Sequence, residues 1–106
     1  PAPSQFVFTK ETACAYSEYK VIKTNQRGRK QTRVLGIDQS SIYNKVSFSV
    51  QKKSRPMNTV VSCEVVGGRP QCFRIYFHEG KKIVTREYET ETKMECGEIV
   101  AKIQFL

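Results

Sequence analysis

Six of the nineteen residues from Tyr19 to Ile37 are Lys or Arg, and none is acidic. The six are Lys20, Lys23, Arg27, Arg29, Lys30 and Arg33. Guanidinium and ammonium groups at this density are suited above all to holding phosphate. An Arg can make two parallel hydrogen bonds to one phosphate, and a Lys acts as a mobile point charge. Packing does not account for such a run, because neighbouring cations repel unless something anionic offsets them. The candidate ligands carry phosphate: a phosphoinositide headgroup, an anionic membrane or a nucleic acid.

Other chemistries find less support. Cys14, Cys63, Cys72 and Cys96 show no CxxC spacing, and His78 is the single histidine, so no zinc constellation is expected. Two disulfides are formally available, but a chain of this size does not need them, and the cysteines read as reduced core residues. Cys96 falls near an expected helix start, where a thiol can ionise more easily, but no histidine lies nearby in sequence to activate it. There is no glycine-rich phosphate loop, no GxSxG, no metal motif and no acid–base pair. Neither catalysis nor a cofactor is expected.

The chain has 106 residues, enough for one core, with 39% hydrophobic residues. The net charge of +8 favours anionic partners. No apolar run approaches the ~18–20 residues of a membrane span, and no signal peptide is evident. The Pro-Ala-Pro-Ser start and the stop at Gln104-Phe105-Leu106 read as a domain excised from a longer protein.

The basic run must be positioned by its neighbours, and most of these read as short strands. Residues 1–15, with Phe6 and Phe8, read as a lead-in or linker, and 16–106 as the domain. Strands are expected over Tyr16–Thr24 and Gln31–Asp38, with a hairpin at Gly28 between them. A third begins at Ser41-Ile42-Tyr43. In a fourth, Val46, Phe48 and Val50 alternate with Ser47, Ser49 and Gln51. Lys52-Lys53-Ser54-Arg55-Pro56 reads as a loop at the opposite end from the hairpin, its cations solvated. Thr59–Val66, Gln71–Phe77 and Lys81–Glu89 complete the strands, with Lys81, Lys82 and Arg86 as surface charges. Then the period changes. Thr92-Lys93-Met94-Glu95 fits a capping box, and Cys96, Ile99, Val100 and Ile103 form one helical stripe. Seven strands and a single helix cannot make a covered sandwich. They fit a mostly β architecture, a bent sheet or partly open barrel plugged by one C-terminal amphipathic helix.

This order of elements resembles the pleckstrin-homology (PH) family over residues 16–106. In phosphoinositide-binding members a Lys ends the first strand, an Arg lies in the second and a Tyr in the third. Lys23, Arg33 and Tyr43 match these positions, and Arg33-Val34-Leu35-Gly36-Ile37 resembles the family's second strand. The sequence departs from the pattern at Gln31, where a basic residue is common, at Gly36, odd for a strand and a candidate bulge, and in having no Trp in the helix. Within the family, Tyr19-Lys20-Val21, Leu35-Gly36-Ile37 and Gly97-Glu98-Ile99-Val100-Ala101-Lys102-Ile103 resemble the C-terminal PH domain of the Sin1/Avo1 subunit of target-of-rapamycin complex 2.

The resemblance implies a module that brings a signalling protein to phosphoinositide-containing membrane. Lys23, Arg27, Arg29, Lys30 and Arg33 are the expected phosphate ligands, with Tyr43 donating its hydroxyl. Lys20 and Lys45 would add long-range attraction to a bilayer. The expected setting is cytoplasmic, peripheral at the plasma membrane, with the isolated domain monomeric. Two alternatives use the same sequence: a protein-interaction module bound to a partner or parent complex, and, less favoured, a nucleic-acid binder, whose basic residues should line a groove rather than cluster at one end.

Overall fold

The computed structural model describes residues 8–25, 27–46 and 51–106. Its strands are β1 (Ser17–Thr24), β2 (Lys30–Ile37), β3 (Ser41–Lys45), β4 (Gln51–Pro56), β5 (Val60–Val66), β6 (Arg69–Glu79) and β7 (Lys82–Glu89). A short helix, α1 (Lys10–Cys14), precedes them, and α2 (Lys93–Phe105) follows. All strand pairings are antiparallel, and the seven strands form one sheet in the order β4-β3-β2-β1-β7-β6-β5. The sheet is not closed; β4 and β5 are its edges. This is the PH-like architecture expected from the sequence.

The β1–β2 hairpin is paired along its full length, from Ser17–Ile37 to Thr24–Lys30. By contrast, β1 meets β7 only at Ile22–Glu89, Lys23–Tyr88 and Thr24–Glu87. That short seam is the corner where the sheet bends. Paired residues share a face, so the register places Val21, Leu35, Ile37, Ile42, Phe73, Ile75, Phe77 and Tyr88 on the inner side, all buried. Helix α2 packs on β5 and β6 and buries Cys96, Ile99, Val100 and Ile103. The Thr92 hydroxyl accepts from the Glu95 N–H at 3.1 Å, capping its first turn. The Lys102 side chain is also buried, donating to Ala15 O at 2.5 Å and Ser17 Oγ at 2.7 Å. It ties the helix to the start of β1.

Two local expectations change, the loop at Lys52–Pro56 and the bulge at Gly36. The fourth strand expected at Val46–Gln51 falls largely on residues 47–50, which lie outside the described residues. The stretch read as a loop, Lys52–Pro56, belongs to β4. Charge density is a poor loop signal where an edge strand can alternate its cations with small residues, and Pro56 is tolerated at such a strand's end. Gly36 is no bulge, since the β1–β2 register runs through it unbroken. A Cβ there would lie 2.4 Å from Tyr16 Oη, so the glycine makes room for the Tyr16 ring on the sheet's outer face. Finally, Cys96 is not an activated thiol: burial pushes it up to about 11.

Two outcomes follow for stability. Gly36→Ala should displace Tyr16 and cost about 1 kcal/mol, and the cost should largely vanish in a Tyr16→Ala background, as read from urea unfolding of the four proteins of the cycle. Burial also pushes Cys63 from 9.0 and Tyr88 from 10.0 up to about 12 each. The native state therefore keeps protons that the unfolded chain gives up above about pH 9, so their contribution is complete below that pH and declines as pH rises. Lys102, held below its ordinary value by burial, works in the opposite sense but against Cys63, Cys96, Tyr88 and Tyr19, the last also pushed up to about 12 by burial. Urea midpoints should fall steadily between about pH 9 and pH 10.5, at up to about 1.4 kcal/mol per pH unit for each group.

Candidate functional site

The inner face of the sheet changes character along each strand. On β1 it reads Tyr19, Val21, Lys23; on β2, running back, Ile37, Leu35, Arg33, Gln31. On β3 it reads Ile42 then Asn44, and on β4 Arg55 then Lys53. On β7 it reads Tyr88 then Arg86. The end near the start of β1 is apolar and tied to α2; the opposite mouth is cationic.

That mouth holds a cavity of about 330 Å³ lined by Lys23, Arg33, Lys53, Arg55 and Arg86, with Gln31 and Asn44. None of these residues is acidic. Five cations around one cavity repel one another, and an anion placed among them removes that cost. The volume suits a small ring bearing phosphates. Asn44 is held by the buried Tyr88 hydroxyl, which donates to Asn44 Oδ1 at 2.7 Å. Arg55 is buried, its Nη1 2.7 Å from Glu79 Oε2 and its Cζ 5.0 Å from the centroid of the Phe77 ring. A second cavity of about 480 Å³ adjoins the gap where β1 leaves β7. It shares Lys23 and Arg86 with the mouth and adds Arg27 and Arg74, but it also contains Glu87. Glu87 pairs with Arg74 at 2.9 Å and Arg69 at 3.4 Å, which leaves less net charge there for a ligand.

The β1–β2 loop is shaped by Asn25 rather than by its cations. Asn25 Oδ1 accepts from the N–H groups of Arg27 and Arg29, both at 2.9 Å. The Asn25 N–H donates to Arg29 O at 2.9 Å, and Gly28 takes φ 80°, which other residues rarely adopt. The guanidiniums of Arg27 and Arg29 are thus mounted on a fixed backbone and project from exposed positions.

Of the residues expected as ligands, the structure brings Lys23 and Arg33 into the mouth cavity and puts Arg27 in its neighbour. Arg29 stays on the exposed loop. Lys30 pairs with Thr24 in register and reaches Glu89 Oε1 at 3.3 Å on the outer face. Tyr43 is also on the outer face, opposite Gly36, where its hydroxyl donates to Asp38 Oδ2 at 3.1 Å and its ring meets Tyr16 edge-on at 5.8 Å. Lys45 is engaged with Glu18. Conversely, Lys53 and Arg55, expected at the opposite end, and Arg86, expected at the surface, line the mouth cavity. Two local signals were present. Lys53-Ser54-Arg55 alternates like a strand, and Arg86 stands two residues before Tyr88, hence on the same face.

A bent, open, seven-stranded antiparallel sheet with one end plugged by a C-terminal helix defines a PH-type domain. A sequence model of the family described as "SAPK-interacting protein 1 (Sin1), Pleckstrin-homology" matches residues 14–106, and the chain belongs to that family. It is 32% identical over 92 residues to the Ras-interacting protein RIP3 of Dictyostelium discoideum, a match covering 85% of this chain but 10% of that protein. Among solved structures, the DH/PH domains of p115-RhoGEF superpose with a TM-score of 0.70 at 8% identity, covering 84% of this chain and 29% of that one. The N-terminal PH domain of human ARAP2 superposes with a TM-score of 0.64 at 15% identity, covering 85% of this chain and 76% of that one. These distant likenesses concern the fold. PH domains are in general non-catalytic interaction modules that bind phosphoinositides or proteins.

Asn25→Ala should loosen the loop without unfolding the sheet. The expected reading is faster amide exchange at Arg27 and Arg29, with protection of Val21, Leu35 and Tyr88 unchanged; uniform loss of protection would show that Asn25 supports the whole fold.

Proposed function

We propose that this chain is a membrane-recruitment module that takes the phosphates of a phosphoinositide headgroup into the barrel mouth. The observation that carries the reading is the cavity itself: five Lys and Arg side chains from four different strands line it without a carboxylate among them. Lys23 and Arg33 sit on facing strands at the mouth, with Arg86 across the corner from them. Arg27 and Arg29 on the rim draw the mouth toward an anionic surface; each is worth about 1 kcal/mol near such a surface. The site calls for neither cofactor nor metal. In this reading the module is cytoplasmic, docks peripherally at the plasma membrane and acts as a monomer. Its membership of the Sin1-type family supports target-of-rapamycin complex 2 as the assembly it serves.

A protein-binding reading has one observation of its own. Edge strand β5 and the end of α2 enclose a groove lined by Met57, Val60, Val61, Ile103 and Leu106, and Val61 and Val65 are exposed on that strand. Such an edge can accept a partner's strand.

Co-sedimentation of wild type and Arg33→Glu separates the two readings. The vesicles carry either phosphatidylinositol bisphosphate or phosphatidylserine at equal total charge. Wild type should pellet selectively with the phosphoinositide, and Arg33→Glu should lose at least about tenfold in affinity while keeping its melting transition, since a bidentate charged contact is reversed in sign. Equal pelleting on both vesicle types would mean a basic patch without a pocket. No pelleting of wild type would favour a protein partner.

A further inference from the structure

An open sheet has two edges, and natural sheets keep their edges from pairing with other chains by placing charge on them. Edge strand β4 follows that rule, with Lys53 and Arg55 among its six residues. Edge strand β5 does not. Its seven residues read Val60-Val61-Ser62-Cys63-Glu64-Val65-Val66 and carry a single charge. Val61 and Val65 stand 48% and 42% exposed on either side of buried Cys63. In the sheet order β5 has β6 on one side and no strand on the other. At Cys63 the carbonyl accepts from Gln104 Nε2 of α2 at 2.9 Å, so one main-chain acceptor of this strand is held by a side chain.

The sequence of β5 reads nearly the same in both directions about Cys63. That symmetry matters because antiparallel pairing of two identical strands is isologous: each contact is made twice, once from either side. Centred on Cys63, the pairing sets Val61 against Val65 of the second copy, Val60 against Val66, and Ser62 against Glu64. The exposed valines of each chain are then covered by those of the other, and such cross-strand apolar pairs stabilise a sheet. The one acidic residue meets a hydroxyl rather than its own twin. A centre at Glu64 would oppose two carboxylates, and a centre at Ser62 would set Val60 against Glu64. Register shifts between Val60 and Ser62 and between Val65 and Val66 confine regular pairing to the middle of the strand, where the symmetry is centred.

We propose that β5 is a self-recognition edge: it pairs antiparallel with β5 of a second copy of this chain about a two-fold axis at Cys63, and Gln104 covers the Cys63 carbonyl in the single chain and gives it up in the pair. The proposal goes beyond the membrane reading and does not depend on it. No β5 residue lines the cationic cavity, so the lipid site is complete in one chain. One strand pair is smaller than a standard interface and forms against a net charge of +8, so the dilute chain is a monomer and the pair has a dissociation constant on the order of 10⁻⁴ to 10⁻³ M. Chains gathered on one surface reach that range by effective concentration.

The test is sedimentation equilibrium of the 106-residue chain from about 10 μM to about 2 mM, with amide shifts followed over the same range. The shifts should map to Val60–Val66 and Gln104. The decisive variants are at Ser62, which is exposed, so both should keep the wild-type melting transition. Ser62→Lys sets a cation opposite Glu64 of the second copy, twice by symmetry, and should tighten pairing about fivefold, although it adds charge to a chain already at +8. Ser62→Glu sets carboxylate against carboxylate and should weaken pairing by a similar factor, although it lowers the net charge. General charge repulsion gives the opposite sign for both variants. Gln104→Ala removes the competing donor and should tighten pairing about twofold to threefold. Association in which the Ser62 variants act with the opposite signs, or not at all, overturns the Cys63-centred edge and assigns the contact to another surface. Unchanged or weaker pairing in Gln104→Ala overturns the covering role of that side chain. No association of wild type or of Ser62→Lys at the highest concentration overturns the proposal and leaves the edge to a strand of a different protein. Vesicle binding through the mouth is measured separately by the Arg33→Glu comparison and stands or falls without these results.

Discussion

Strand register is the constraint on which this domain depends. Side chains alternate across a sheet with a period of two, so one alignment decides which residues of every strand face inward. Here the pairs Val21–Arg33, Lys23–Gln31, Lys23–Tyr88, Leu35–Asn44 and Ile42–Arg55 put core and site on the same face. The core residues and the proposed phosphate ligands are therefore not separate designs. They are the two ends of one inner surface, and a slip of one residue in β2 would remove Leu35 from the core and Arg33 from the mouth together.

An open sheet with an apolar end and a cationic end has to be held in its bend. At the apolar end α2 does this by burying Cys96, Ile99, Val100 and Ile103 on β5 and β6. Lys102 adds a tie to Ala15 and Ser17. Across the interior, two polar contacts link strands that are not neighbours in the sheet. Tyr88 of β7 donates to Asn44 of β3, and Arg55 of edge strand β4 reaches Phe77 and Glu79 of β6. The second tie crosses the opening that sheet closure would otherwise have removed. Cations at this mouth oppose the bend by repulsion, so ties near them matter more than their number suggests.

What was legible in the sequence follows from how local each signal is. The hairpin, the inward strand of Phe73, Ile75 and Phe77, and the helical stripe after Thr92 are set by nearest neighbours and period, and could be read directly. The placement of Lys53 and Arg55 is not local. It depends on β4 pairing with β3, which a run of cations gives no hint of. Arg86 carried a signal in its spacing from Tyr88, but using it required knowing that Tyr88 faces the core and pairs opposite Lys23. Gly36 illustrates the same limit on the outer face: the ring that needs its missing Cβ belongs to Tyr16, twenty residues earlier in the chain. Tyr43 was placed among the ligands by family resemblance, whereas its register opposite Gly36 turns it outward to Asp38.

The cations of this domain divide by burial into two kinds, and the division has kinetic meaning. Arg27 and Arg29 are exposed on a fixed loop, so their field reaches solvent and weakens over about a Debye length of 8–10 Å in physiological salt. Groups of that kind raise encounter rates and are sensitive to ionic strength, but discriminate little among anions. Arg55 is the reverse. Its charge is screened from approach by burial, and its remaining donors have one direction. Its charge reaches little into solvent, and two of its donors are buried without a partner among the described residues. Lys23 and Arg33, half buried between these extremes, connect the two regimes. Exposed and buried cations thus lie at different depths of one domain, and salt screens the field of the first far more than that of the second.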